Sequence, residues 1–400
     1  MNKRIIYIGL ILIPFLEIMV RFIPYVFPDV PDTRIFKETF SLYLALGLFL
    51  SVLWQGNLKK VSNKWLLVLV GYCLFSFGFW WKMPFVVNNV MATSFWMWKP
   101  LFQMIVFFLM TLSVSSIDFR KKDVVQLMNI MSFVGLVMGI YLLLQYFGVD
   151  QFYKVKDFKV IGWGITNPNM VGTLGQPTIV APLIAITALC SVFVRRYIIS
   201  ALLCGVVFLI NSQMATGALA CGLTVYFLMM KPRGIYVVLV ILLVIGYIFI
   251  QNPSKIEGNG RFQAWEQVAI DWKGSPLDED GNNYSYFGVG LGSFGYVFHE
   301  KNDTVYYQAH NDPLEVMYGL GMVGLGLYLM AIFNHIWLGF KDFLKFGDWR
   351  KRFMAILISI FVLMHLNSLG TFLFQLGYYQ YIVALVAGLI INSSIFGGKK

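Results

Sequence analysis

Charged side chains are scarce in this chain of 400 residues, in which Asp, Glu, Lys and Arg together make up 13%. Soluble proteins carry about 25% charged residues, so a water-facing surface over the whole chain is excluded. Hydrophobic residues make up 58%, and several apolar runs reach the roughly 18 residues that a membrane-spanning helix needs. The composition therefore predicts an integral membrane protein that is solvated mostly by lipid.

Cysteine is scarce as well, and its placement excludes two kinds of site. Cys73, Cys190, Cys204 and Cys221 all fall inside hydrophobic runs. None lies in a long polar segment, so neither a disulfide framework nor a zinc site of cysteine ligands is expected. Internal repeats and a second soluble domain are also absent from the sequence, which predicts one polytopic domain over residues 1–400.

The apolar runs predict an all-α integral membrane fold of about twelve transmembrane helices. The predicted spans are 5–22, 39–54, 65–81, 95–115, 124–147, 176–194, 197–211, 214–230, 234–251, 314–340, 352–368 and 375–395. One long polar segment, residues 252–313, separates the ninth span from the tenth. Loops that a rigid scaffold positions usually carry function, so the chemistry is expected on this segment.

Positive charge is concentrated in alternate connections between the predicted spans. Nineteen of the 31 basic residues share one side with only four Asp residues; they are Lys3, Arg4, Lys59, Lys60, Lys64, Arg120, Lys121, Lys122, Arg195, Arg196, Lys231, Arg233, Lys341, Lys345, Arg350, Lys351, Arg352, Lys399 and Lys400. By the positive-inside rule this side is cytoplasmic. Both termini are then predicted inside and residues 252–313 outside. The net charge of +11 is thus interpreted as a topology signal, with no nucleic-acid partner.

The end of the long segment offers a candidate base, His310, followed by Asn311. We predict that Asp312 and Pro313 form the N-cap and first residue of the next helix, which places His310 where a helix N-terminus favours an anion. A histidine with a pKa near 6.5 can accept a proton at neutral pH. The alternative is a hydrogen-bonded histidine that only shapes the junction.

Other polar residues on the predicted outer side could bind a phosphate or a sugar. Arg261 presents a planar fork that fits two phosphate oxygens, or it meets lipid headgroups. Asn167 and Asn169 flank a proline and either orient sugar hydroxyls or cap a helix. Lys99 and Arg34 are further candidate cations on this side.

Two histidines, His335 and His365, fall inside predicted spans. Polar groups within a membrane are candidates for function. We expect these two to make hydrogen bonds at helix contacts.

Several of these features follow one another in a recognisable order. They are Asn167-Pro168-Asn169, Arg261 with Trp265, the glycine-rich segment 288–294, His310-Asn311, and the glycines of 319–324. This order, over roughly residues 160–330, resembles the O-antigen ligase / O-antigen polymerase family of bacterial polysaccharide enzymes. The resemblance implies a GT-C-like membrane fold in the bacterial cytoplasmic (inner) membrane, with the long loop on its outer face.

The same resemblance implies a metal-independent, inverting glycosyl transfer that uses no cofactor. The donor would be a glycan on undecaprenyl diphosphate, and the acceptor a sugar hydroxyl on lipid A core or on another lipid-linked repeat. Arg261 would hold the diphosphate, and His310 would activate the acceptor or help bind the leaving group. Polysaccharide-assembly proteins are possible partners, besides the lipid bilayer.

One segment departs from the family pattern. Family members commonly carry an arginine at the outer end of the eighth span, where this chain has Thr216, with Gln213 nearby. These two side chains can hydrogen-bond to a substrate but bring no charge, so Lys99 or Arg34 would replace the arginine, or the donor binds differently. The alternative functions are a transporter or flippase of a lipid-linked saccharide, a non-catalytic envelope-assembly component, and a protein O-oligosaccharyltransferase.

Overall fold

The computed structural model describes most of the chain, including the start of the helix that follows the long polar segment. The described residues are 2–15, 34–58, 63–80, 86–87, 90–91, 95–149, 170, 172–174, 177–230, 265–266, 268–270, 284–288, 290, 294, 309–370 and 377–392.

These parts of the chain are helical apart from a two-residue antiparallel pairing, in which Val86 lies opposite Met91 and Val87 opposite Val90. The α-helices are α1 Asn2–Leu12, α2 Arg34–Trp54, α3 Lys64–Trp80, α4 Phe95–Ser116, α5 Lys121–Tyr146, α6 Pro177–Phe193, α7 Tyr197–Ile210, α8 Gln213–Met230, α9 Tyr284–Phe287, α10 Asp312–Lys345, α11 Asp348–Asn367 and α12 Gly377–Ile390. Short 3₁₀ turns occur at Ile13–Phe15 and Gly172–Leu174.

Each predicted span within the described ranges overlaps one of these helices, and the ninth, 234–251, lies outside them. Three described helices, α5, α8 and α10, are long and apolar enough to cross a membrane. Within the fully described residues, shorter apolar helical stretches of 10–17 residues occur in α2, α3, α4, α6, α7 and α12. An all-helical fold of membrane-like character is therefore confirmed, while twelve crossings and their sidedness stay predictions.

The centre of the bundle is α6, whose residues from Val180 to Phe193 are all buried. Small residues let its neighbour α5 approach closely: a Cβ added at Gly135 would lie 2.1 Å from the Thr187 hydroxyl, and the Ser132 and Ser191 hydroxyls are 2.7 Å apart. Pro182 interrupts the hydrogen bonds of α6. The Tyr379 hydroxyl of α12 donates to the Ile179 carbonyl one turn earlier, at 2.6 Å.

Buried amide and imidazole groups join α3 to α10. The fully buried Asn63 caps α3 by accepting from the Leu66 N–H at 3.1 Å, and its Nδ2 lies 2.6 Å from Nδ1 of His335. On α11, Nδ1 of His365 lies 2.8 Å from the Phe361 carbonyl oxygen. The prediction of a hydrogen bond at a helix contact is confirmed for His335. The His365 bond lies within α11 itself, so a hydrogen bond from His365 to another helix stays a prediction.

Helix α10 is broken at Gly321, which has φ 67° and ψ −170°. A break exposes backbone carbonyls that a membrane cannot solvate. Here the Gly319 carbonyl accepts from the Gly290 N–H at 2.9 Å, and the Leu320 carbonyl accepts from the Tyr72 hydroxyl at 3.1 Å. The predicted tenth span, 314–340, is therefore two helical pieces within 312–345, joined at a glycine.

Candidate functional site

The first piece of α10 begins at the candidate base. Asn311 is the N-cap: its φ is −153°, and its side-chain oxygen accepts from the Leu314 N–H at 3.1 Å. The prediction that Asp312 and Pro313 are the N-cap and first helical residue is thus wrong by one position. The reason is that the Asn311 side-chain N–H donates to the Leu369 carbonyl at 3.0 Å, which turns its side-chain oxygen toward the Leu314 N–H.

His310 precedes this cap in a left-handed conformation, with φ 52°. Non-glycine residues avoid this region because Cβ crowds the carbonyl, at a cost of about 1–2 kcal/mol. The carboxylate of Glu315 offsets that cost, because it accepts backbone N–H groups from Ala309, at 2.8 Å, and from His310. The imidazole is therefore carried on a main chain that is fixed from inside the helix.

A second set of contacts holds the same segment from the other side. The Trp265 indole N–H donates to the Ala309 carbonyl at 2.7 Å. Below it, Val268, Phe294, Ala309 and Tyr318 form a small buried cluster, in which the rings of Phe294 and Tyr318 meet edge-on at 5.1 Å. Residues 265–266 and 268–270 are helical. Widely separated parts of the long polar segment are thus packed together at His310.

The C-terminal end of α11 forms the floor of this site. Its Ser368 carbonyl receives the Asp312 N–H, and its Leu369 carbonyl receives the Asn311 side-chain N–H at 3.0 Å. The Tyr328 phenol, beyond the break of α10, lies beside the Ser368 side chain and the Asp312 carboxylate. Both polar atoms of the Asn311 side chain are therefore used in holding the fold.

The start of α8 reaches the same floor. Met214 packs on Gly370, where an added Cβ would lie 2.4 Å from the Met214 Cγ. Its neighbours on α8, Gln213 and Thr216, are half-buried. Met214 thus contacts Gly370, the residue after Leu369, whose carbonyl binds Asn311. The start of α8 therefore lies near His310 and Asn311 in space, although about a hundred residues separate them in the chain.

The other predicted site residues stand apart from this description. Arg261, Asn167 and Asn169 lie outside the described residues. Arg34 is the first residue of α2, and Lys99 lies in the second turn of α4; the structure describes only the backbone at both positions. The contribution of these five residues to phosphate or sugar binding stays a prediction.

Two acidic side chains lie in the described part of the site. Asp312 is 4% exposed, and Glu315 is half-buried beneath the His310 backbone. A carboxylate at Asp312 disfavours an approaching phosphate. This environment suits a histidine that accepts a proton better than one that binds a diphosphate, so the phosphate would need cations from elsewhere in the chain.

Sequence reasoning missed Glu315, Ser368 and Tyr328. For Glu315 a signal was present, because Asp312 and Glu315 have the spacing of a capping box; in the structure the carboxylate reaches further back, to the main chain of residues 309 and 310. For Ser368 and Tyr328 the sequence carries no comparable signal. Their role arises from the break at Gly321, which brings the two pieces of α10 to the same end of α11.

Comparison with known proteins adds no assignment. A scan against models of protein families found no match, and a search of curated proteins found none either.

Proposed function

We propose that this protein is a membrane glycosyltransferase that moves a glycan from undecaprenyl diphosphate to a sugar hydroxyl at the outer face of a bacterial cytoplasmic membrane. The proposal takes its substrate class from the resemblance to the O-antigen ligase / polymerase family. The observation that supports a catalytic role for one residue is the left-handed backbone of His310. Strained conformations that surrounding contacts hold in place cluster at active sites.

In the proposed reaction, His310 acts as general base. The acceptor hydroxyl oxygen forms a bond to the anomeric carbon, and the bond from that carbon to the diphosphate oxygen breaks. The proton of the hydroxyl passes to the imidazole, and the diphosphate leaves with the bonding electron pair, so that the configuration inverts. Base catalysis of this kind contributes about 10²–10⁴-fold.

Supporting roles follow from position. Glu315 and Asn311 act as positioning residues, because they fix the main chain on each side of the imidazole. Arg261 is proposed to neutralise the leaving diphosphate, which the acidic surroundings of His310 cannot do. Gln213 and Thr216 are proposed to hydrogen-bond the sugar from the neighbouring helix α8.

The decisive experiment is surface-glycan analysis, by gel and by lipid extraction, of a deletion strain that carries His310→Asn. Asparagine tolerates the left-handed conformation and lacks the base, so it separates chemistry from folding. His310→Gly, which relieves the strain altogether, is the matched control for backbone effects. We expect both variants to accumulate in the membrane normally and to lose at least about 99% of transfer.

The glycan pattern identifies the reaction. Collapse to single repeat units means a polymerase, and full-length polymer stranded on undecaprenyl diphosphate means a ligase. Normal surface glycan in the His310→Asn strain would refute the role of the imidazole. Normal glycan in the deletion strain, once a redundant enzyme is excluded, would refute the proposed function as a whole.

A second candidate, a transporter of a lipid-linked saccharide, is favoured by the broken helix α10, because interrupted helices build substrate sites in transporters. The two carbonyls at the break that we have described are hydrogen-bonded within the protein, which weakens this candidate. Lipid-linked repeats trapped at the cytoplasmic face of the deletion strain would favour the transporter over the transferase.

A further inference from the structure

A groove of about 930 Å³ runs along α5, between the end of α1 and the turn that joins α6 to α7. We call it the α5 groove, and its volume is within the range of sites that hold a small amphiphilic molecule. Its walls include Ile11, Phe15, Lys121, Lys122, Gln126, Asn129, Phe133, Val137 and Arg196. None of these residues belongs to the candidate site at His310.

The polarity of the α5 groove changes in order along the helix. Lys121 and Lys122 lie in the first turn of α5, Gln126 and Asn129 in the next two turns, and the lining from Ile130 to Val137 is apolar. At 1.5 Å per residue, this sequence covers about 24 Å. The lining of the groove changes from cations to amides to hydrocarbon. A phospholipid has its phosphate, ester and acyl groups in the matching order.

The cations of the groove are available to a ligand. Lys121, Lys122 and Arg196 are exposed, and within the described residues none makes a close ion pair. The Asp123 carboxylate attracts Lys122 only at longer range and is bonded to the Lys3 ammonium at 2.6 Å. Each cation near a membrane surface attracts anionic lipid by about 1 kcal/mol. The groove therefore presents net positive charge at one end only.

We infer that the α5 groove binds one anionic phospholipid, with its phosphate at Lys121, Lys122 and Arg196 and an acyl chain against Phe133 and Val137. A water-soluble anion would leave the apolar wall uncovered. A hydrophobic helix from a partner would cover the wall but leave the cations unmatched. An anionic phospholipid satisfies both parts of the groove.

This lipid lies far from the proposed chemistry. The Arg352 guanidinium donates to the Phe193 carbonyl, three residues before Arg196, whereas the His310 segment is bound to Ser368 at the other end of α11. Residues 352 and 368 are about 24 Å apart along the helix. The α5 groove is thus spatially separate from the site of the proposed glycan transfer.

The test is competitive lipid binding by native mass spectrometry of the full chain, released from nanodiscs that contain phosphatidylglycerol and phosphatidylcholine with identical acyl chains. We expect wild type to retain one phosphatidylglycerol preferentially. The triple variant Lys121→Ala, Lys122→Ala, Arg196→Ala should lose this preference, at about fivefold per cation removed, the equivalent of about 1 kcal/mol each.

The matched control is the triple variant Lys64→Ala, Lys341→Ala, Lys345→Ala. It removes the same charge from exposed positions outside the groove and should keep the preference. An equal loss in both triple variants would mean diffuse surface attraction and would overturn the inference, as would equal retention of the two lipids by wild type.

A second variant, Val137→Trp, tests the apolar wall without changing charge. Val137 is 37% exposed, so the indole can occupy the groove without disturbing the core. We expect it to reduce the retained phosphatidylglycerol several-fold. Unchanged binding, or displacement of the bound lipid by inorganic phosphate alone, would show that no acyl chain occupies the groove and would overturn the inference.

Discussion

At the Ser368 end of α11, neighbouring segments are joined mainly through their backbones, whereas at the Asp348 end long side chains make the contacts. The first end uses the carbonyls of Ser368 and Leu369. At the second, the Lys351 ammonium lies 4.8 Å from the centre of the Phe343 ring and the Arg352 guanidinium 5.1 Å from that of Phe193. Contacts of the second kind are worth about 0.5–1 kcal/mol where exposed, and their side chains can rearrange. The first end is consequently the one able to hold a reactive group in a fixed geometry.

The largest difference between the two regions is expected when one methyl group is added to each, at Gly321 and at Gly347. Gly321→Ala places a Cβ 2.2 Å from the Tyr286 carbonyl oxygen, at a φ of 67°. We expect it to destabilise the protein by about 3 kcal/mol or more, because two backbones must separate. Gly347→Ala, where a Cβ meets nothing within 4 Å, should cost less than about 1 kcal/mol. Thermal unfolding in detergent, followed by size-exclusion chromatography, measures both; similar losses would contradict the comparison.

A smaller effect is expected from Glu315→Gln. The amide keeps the size of the side chain but turns one of its two oxygens into an NH₂ group that cannot accept the Ala309 or His310 N–H, a loss of about 1 kcal/mol. Glycan transfer should fall about tenfold while the protein accumulates normally, since His310 loses its fixed orientation. Glu266→Gln, at an exposed position in the same segment, is the control. Full activity in Glu315→Gln would show that this carboxylate does not position His310.

The smallest effect is expected at the Asp348 end. Lys345 is 61% exposed and lies 3.7 Å from the Asp342 carboxylate, one turn earlier on α10. Surface ion pairs of this kind contribute about 0.2–1 kcal/mol. We expect Lys345→Ala to shift the unfolding temperature by no more than a degree or two. A larger shift would mean that this end is as tightly specified as the other.

The sequence predicts features that depend on local chemistry. Long apolar runs predict the helices, since a membrane-like environment forces backbone groups to bond within each segment. His335 was correctly interpreted because a buried polar group needs a hydrogen-bond partner, whereas the bond of His365 is to a carbonyl of its own helix. The start of the helix after His310 was predicted within one residue, and the error came from the Leu369 carbonyl, a partner of Asn311 that no local pattern reveals.

The break at Gly321 shows where such reasoning stops. Glycines at 319, 321 and 324 within an apolar run are equally typical of a continuous helix that packs closely against another. Only the close approach of Tyr286, Phe287 and Gly288 favours a positive φ at Gly321 over a helical one. The position of Tyr328 and Asp312 around Ser368 depends on that break, so most of the candidate site could not be derived from spacing alone.

The hydrogen bonds to the carbonyls at the break of α10 also limit the order in which the chain can assemble. Tyr72, which binds the Leu320 carbonyl, is synthesised 248 residues earlier. Gly290, which binds the Gly319 carbonyl, belongs to the long polar segment. Contacts of such separation form late, because the intervening chain must first be brought together. The two pieces of α10 therefore reach their final arrangement only after the early helices and the polar segment are in place.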